Sequence, residues 1–179
     1  MRRALVMAFA ALAIAGCSVA QDPAPASQTG VTTISTPSTC HARGHGLFSL
    51  PDPVCTPGAV SRRVTQTSIG STICVPGYTE TVRPPESVTE PEKFQSMKAY
   101  GDTKSPHDFE FDHLIPLELG GAANDPRNLW PEPGSSPNPK DRLENFLREQ
   151  VCDGSMTLAQ AQHIVATNWV AYYRRHIAP

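Results

Sequence analysis

The chain opens on Met1-Arg2-Arg3 and an apolar run from Ala4 to Ile14, and its hydrophobic pattern then changes character several times. Residues 18–39 are Ala, Pro, Ser, Thr and Gln with almost no large apolar side chains, a composition that cannot offset chain entropy and predicts a disordered tether. Helical spacing of apolar residues is clearest late in the chain. Leu143, Phe146, Leu147 and Val151 predict a helix over Pro139–Val151, with Asn138 as N-cap and Pro139 at the first helical position. Leu158, Ala161, Val165, Trp169 and Tyr172 form one stripe of a second helix over Leu158–His176. Thr157 and Gln160 have capping-box spacing at its start, and Arg174, Arg175 and His176 complement the dipole in its last turn. A shorter helix is expected over Glu90–Tyr100, from the Thr89/Glu92 spacing to a stop at Gly101, and another over Ser61–Ser68. Phe109 and Phe111, followed by Leu114 and Ile115, predict a short strand. Asn128-Leu129-Trp130-Pro131 predicts a second, and Gly120-Gly121 a turn between them. The order over this stretch is strand, loop, strand, loop, helix. Trp130 and Trp169 are expected in the core.

Proline and cysteine sharpen that outline. Of 18 prolines, 14 fall between Pro51 and Pro139, so short strands and loops are expected there rather than long helices. Of the five cysteines, Cys17 stands apart. A basic start, a short apolar core and small residues make residues 1–16 a signal peptide. Ile14-Ala15-Gly16-Cys17 resembles the bacterial lipobox, which implies cleavage before Cys17 and lipidation of its thiol. The expected localisation is then the cell envelope, with residues 17–39 as a lipid-anchored linker. Ser18 suits an outer membrane if the source is Gram-negative. Cys40, Cys55, Cys74 and Cys152 remain. In an exported chain they predict two disulfides, with three pairings open; no pair has the close spacing of a zinc site.

Charge excludes little but directs expectation. The formal charge of −2 becomes −4 once Arg2 and Arg3 leave with the signal peptide. The chain is not a generic basic nucleic-acid binder, so any nucleic-acid contact requires a local cationic cleft. No apolar span in the body is long enough for a multispanning membrane protein.

The run that carries chemistry is Asp112-His113-Leu114-Ile115-Pro116-Leu117, followed by Gly120-Gly121 and Asn128-Leu129. In order and spacing it resembles the HNH, or ββα-metal, nucleases over about residues 108–151. The resemblance implies an α+β fold: residues 40–179 as one domain, with short strands in an HNH-like core, additional C-terminal helices and a disulfide-braced N-terminal region. It implies phosphodiester hydrolysis of nucleic acid, DNA ahead of RNA. His113 would be the general base and Asp112 a metal ligand, with Asn128 bracing the loop so that the His ring stays aimed. The chemistry suits the residue types: a neutral imidazole takes a proton from water near pH 7, and a cation offsets charge on the phosphate.

The family's third motif position is the departure. No His lies near the start of the Pro139 helix; Asn138 is the nearest equivalent, and its oxygen can serve either a metal or the helix cap. Asp141 is a substitute one turn in. Oxygen ligands of this kind suit Mg²⁺, with Mn²⁺ and Zn²⁺ as alternatives. Lys140 is open as a phosphate contact, whereas Arg148 reads as the i,i+4 partner of Glu144 on a solvated face. His107 and Asp108 are accessory candidates, and His41 and His45 read as loop histidines. Arg83-Pro84-Pro85 reads as a polyproline-type surface segment. The competing reading is a non-catalytic envelope lipoprotein that uses the same scaffold for binding or structure.

Overall fold

A computed structural model describes residues 39–178; the expected signal peptide, most of the expected tether and Cys17 lie outside the described residues. The chain is α+β. A small hairpin of β1 (Arg43–His45) and β2 (Phe48–Leu50) comes first, followed by a loop-rich stretch with a single 3-10 turn at Ile69–Ser71. Then come α1 (Tyr78–Val82), α2 (Glu86–Tyr100), the antiparallel pair β3 (Phe109–His113) and β4 (Leu129–Pro133), and finally α3 (Pro139–Cys152) and α4 (Leu158–His176). In the second pair Asp112 faces Trp130 and His113 faces Leu129. With only two strands, Pro131 and Pro133 cost no bond to a further neighbour.

Both C-terminal helices begin at the capping residues read from the sequence. The Asn138 side chain accepts from the Lys140 and Asp141 amides while Asp141 accepts from the Asn138 amide. Thr157 and Gln160 exchange the same pair of bonds. Helices α3 and α4 pack together through Leu143, Leu147 and Val151 on one side and Leu158, Ala161, Val165 and Trp169 on the other. Leu114, Ile115 and Leu119 join this core from the loop after β3. The predicted stripe of α4 shifts after Asn168, whose φ −161° and ψ 76° break the helix. The Asn168 side chain caps the restart through the Ala171 amide at 3.0 Å. Val170 and Tyr173 are thereby buried, and Tyr172 only partly so. Trp130 and Trp169 are fully buried.

Two expected elements differ. Helix α2 starts at Glu86, not Glu90, with no side-chain cap, and carries Pro91 inside it. Its Gly101 stop is as read, in the left-handed conformation at φ 70°. Residues 61–68 form turns rather than a helix. The Ser68 hydroxyl bonds the Arg63 and Thr65 carbonyls, and such local side-chain bonds compete with helical ones.

The cysteines pair as Cys40–Cys55 and Cys74–Cys152, resolving the three possible connectivities. The first braces the N-terminal region, where the Cys40 amide also bonds the Ala99 carbonyl at 2.7 Å. The second joins the loop before α1 to the end of α3, beside a 2.8 Å bond from the Arg148 guanidinium to the Ile73 carbonyl. Disulfides fit an oxidising, exported environment. Among the described residues no helix is long and apolar enough to cross a membrane.

Closing a loop of 78 residues stabilises by about 4.5 kcal/mol in the chain-entropy account. Cys74→Ser with Cys152→Ser is therefore expected to lower the urea midpoint more than Cys40→Ser with Cys55→Ser, whose 15-residue loop contributes about 3 kcal/mol. Equal shifts in the two variants would contradict this ordering.

Candidate functional site

The segment from β3 to β4 is held by one side chain. Asn128 is fully buried; its Oδ1 accepts from the Ile115 amide at 2.9 Å, and its Nδ2 donates to the carbonyls of Ile115 at 2.9 Å and Ala122 at 3.1 Å. The bracing role expected of Asn128 corresponds to this bonding. Two glycines make the loop close enough. A Cβ at Gly121 would lie 1.8 Å from the Ile115 oxygen and 2.8 Å from Asn128 Nδ2. Gly120 has φ 73° and lies against Val64.

The braced loop brings the Ala123 carbonyl to His113. His113 is 6% exposed, and its Nε2 lies 2.9 Å from that oxygen. A carbonyl only accepts, so Nε2 carries the proton and the neutral ring keeps its lone pair on Nδ1. Burial, with help from the nearby Lys140 and Arg83 charges, holds the His113 pKa below its ordinary value despite Ala123 and Asp112. The ring is therefore neutral at neutral pH.

Asp112 and His113 line one cleft of about 250 Å³ between β3, the start of α3 and the end of α1. Its other carboxylates are Glu110, Glu118, Asp141 and Glu144. Oε2 of Glu110 and of Glu118 are buried without a hydrogen-bond partner. Burial, then the Asp112 and Asp141 charges, pushes Glu110 up to about 7. Arg83 enters the cleft from the C-cap of α1, where Pro84 favours its extended backbone (φ −64°, ψ 128°). Its guanidinium makes no ion pair or hydrogen bond among the described residues, while its amide donates to the Thr79 carbonyl at 3.0 Å; its position was not foreseen from Arg83-Pro84-Pro85. A second cleft of about 190 Å³, lined by Tyr100, Phe111 and Leu129 among others, holds none of the predicted site residues except through its neighbours on β3 and β4.

Lys140 corrects an expectation. It is 1% exposed rather than free for a phosphate. Its Nζ donates to Asp112 Oδ2 at 2.5 Å, the His113 carbonyl at 2.8 Å and Glu144 Oε1, and lies 4.0 Å from Glu132 Oε2. These three carboxylates hold its pKa well above the ordinary lysine value against the opposing effect of burial. Burial disfavours ionised Asp112, but the Lys140 charge and its hydrogen bond keep its pKa low. Burial and the Asp112 charge push the Glu132 pKa well up, and its Oε2 is buried without a hydrogen-bond partner. Burial likewise raises Glu144 to about 8. Glu132 and the Glu144–Lys140 pair were missed because Glu144 was assigned to Arg148, which instead reaches Ile73.

The implied metal was expected on Asp112 and Asn138. Asp112 is engaged by Lys140, and Asn138 Oδ1 is occupied by the cap bonds to Lys140 N at 2.7 Å and Asp141 N at 3.2 Å. This donor pair does not fit a divalent ion, and no group of three or more His, Cys, Asp or Glu suited to a metal occurs among the described residues. Arg142 bonds the Tyr173 hydroxyl, and His107 and Asp108 sit in an exposed turn outside the cleft. No known protein family, curated protein or solved structure matches the chain.

Glu110 holds a proton when folded that it loses near its ordinary value of 4.5 when unfolded. Its stabilisation is complete below 4.5 and lost as pH rises through about 7. His113 acts oppositely, but only below its ordinary 6.5. Stability is expected to fall as pH rises from 6.5 through about 7, and Glu110→Gln to flatten that fall in urea titrations. Asn128→Ala would unpair an amide and two carbonyls, each costing about 1–3 kcal/mol when buried. A wild-type urea midpoint for that variant would contradict the brace.

Proposed function

We propose that the protein hydrolyses phosphodiester bonds of nucleic acid, DNA ahead of RNA, on an HNH-like core formed by β3, β4 and α3. The observation that carries this reading is the His113 ring: its Nε2–H is engaged by the Ala123 carbonyl, while Nδ1 makes no hydrogen bond within the described protein. Nδ1 takes a proton from water, and the water oxygen forms a bond to phosphorus. The bond to the leaving oxygen breaks with its electron pair, and that oxygen takes a proton from Glu110. Arg83, unpaired in a cleft of carboxylates, supplies the contact to the phosphate. Asn128 and Gly121 act through the loop as positioning residues. The divalent ion implied by the resemblance would offset phosphate charge, but no step here is assigned to it.

The signal-peptide pattern and the two disulfides support export. The lipobox-like run supports an envelope lipoprotein anchored through Cys17. A second reading, a binding or structural protein on the same scaffold, is favoured by Asn138: its side chain serves the α3 cap.

Nicking of supercoiled plasmid by the disulfide-bonded protein, with Mg²⁺, Mn²⁺ or excess EDTA, tests the choice. A single-stranded RNA arm tests the sugar. His113→Ala is expected to lower the rate by about 10²–10⁴-fold with unchanged circular dichroism. The rate should rise through the depressed His113 pKa and fall above about pH 7 as Glu110 loses its proton. No cleavage of either polymer under any of these conditions overturns the hydrolase reading in favour of the second.

A further inference from the structure

We propose that the Lys140 ammonium is the resident cation of this site, standing where the resemblance implies a divalent metal ion. The proposal concerns the same cleft as the hydrolase reading but does not depend on turnover. Three observations carry it. The ammonium has three N–H donors, and three acceptors meet them: the Asp112 carboxylate, the Glu144 carboxylate and the His113 carbonyl. The group is closed off from solvent, with Lys140 1% exposed and Glu132 beside it also 1% exposed. The residue expected to complete the metal's ligand set holds the lysine instead, because Asn138 Oδ1 accepts the backbone amide of Lys140 at 2.7 Å.

These bonds form one unit. The Asn138–Asp141 capping box fixes the first turn of α3, and that turn delivers Lys140 to the end of β3. There the ammonium binds both Asp112 and the backbone oxygen of His113, so it fixes the strand end that carries the base. A divalent ion on Asp112 would stand beside this ammonium, and the two positive charges would repel. Opening that place requires displacing a charge tied to the chain. Lys140 is thus a positioning residue for His113 and an electrostatic substitute for a metal.

Mn²⁺ titration of the full mature chain, followed by electron paramagnetic resonance, tests this without any turnover. Wild type is expected to show no Mn²⁺ site that depends on Asp112. Lys140→Met frees Asp112, Glu132 and Glu144, and should bind Mn²⁺ more tightly than wild type by about tenfold or more, with the gain removed by adding Asp112→Asn. Wild-type binding that disappears in Asp112→Asn overturns the proposal, as does a folded Lys140→Met with no gain. Wild-type binding unchanged in Asp112→Asn places that ion elsewhere and supports it. Should Lys140→Met not fold, the wild-type and Asp112→Asn pair decides alone. In the plasmid assay the proposal expects cleavage in excess EDTA within about twofold of that in Mg²⁺, since the cation is not exchangeable. Loss of all cleavage in EDTA overturns it. Absence of cleavage in every condition sinks the hydrolase reading and leaves the Mn²⁺ result to judge Lys140.

Discussion

A single buried amide organises the centre of this protein. Asn128, the residue before β4, is tied to Ile115 just beyond β3 by two bonds and to Ala122 in the intervening loop by a third, and water cannot replace any of them because the side chain is fully enclosed. Its reach depends on Gly121, where any Cβ would collide with the Ile115 oxygen. Everything chemical about the site is downstream of this clamp. It shapes the loop that carries Ala123, and Ala123 sets which nitrogen of His113 holds the proton.

The cleft itself is an electrostatic compromise. A chain with a formal charge of only −2 gathers six carboxylates around one buried lysine and one unpaired arginine. Burial raises the pKa of Glu110, Glu132 and Glu144, so much of the formal negative charge is held as protons near neutral pH. Asp112 is held ionised, because Lys140 touches it directly. Acidic and basic roles are thereby separated within a few residues of a single strand.

Local chemistry was legible in the sequence and distant partnership was not. Asn138, Pro139, Thr157 and Gln160 announce helix starts because a cap involves residues three apart, and both helices begin there. Gly101 marks its stop for the same reason. The alternation around Phe109 and the Gly120-Gly121 turn likewise located β3 and its loop. Lys140 shows the limit: on helical spacing it belongs to a polar face, and only the packing of α3 against the end of β3, 28 residues back, buries it. The disulfide connectivity and the arrival of Arg83 at His113 are of the same kind, because each needs the tertiary path of a proline-rich segment. Only the start of helix α2 eluded pattern reading, because Pro91 lies inside it while its first turn lacks a side-chain cap.

The Cys74–Cys152 bond has a topological consequence. It closes a covalent ring, and every residue lining the His113 cleft, from Thr79 to Asn145, lies on that ring. A single peptide-bond cut anywhere between the two cysteines opens the ring without releasing a fragment. Arg83, His113 and Lys140 would stay on one covalently connected molecule after such a cut. The bond thus tethers the two walls of the cleft against a proteolytic cut as well as stabilising the fold.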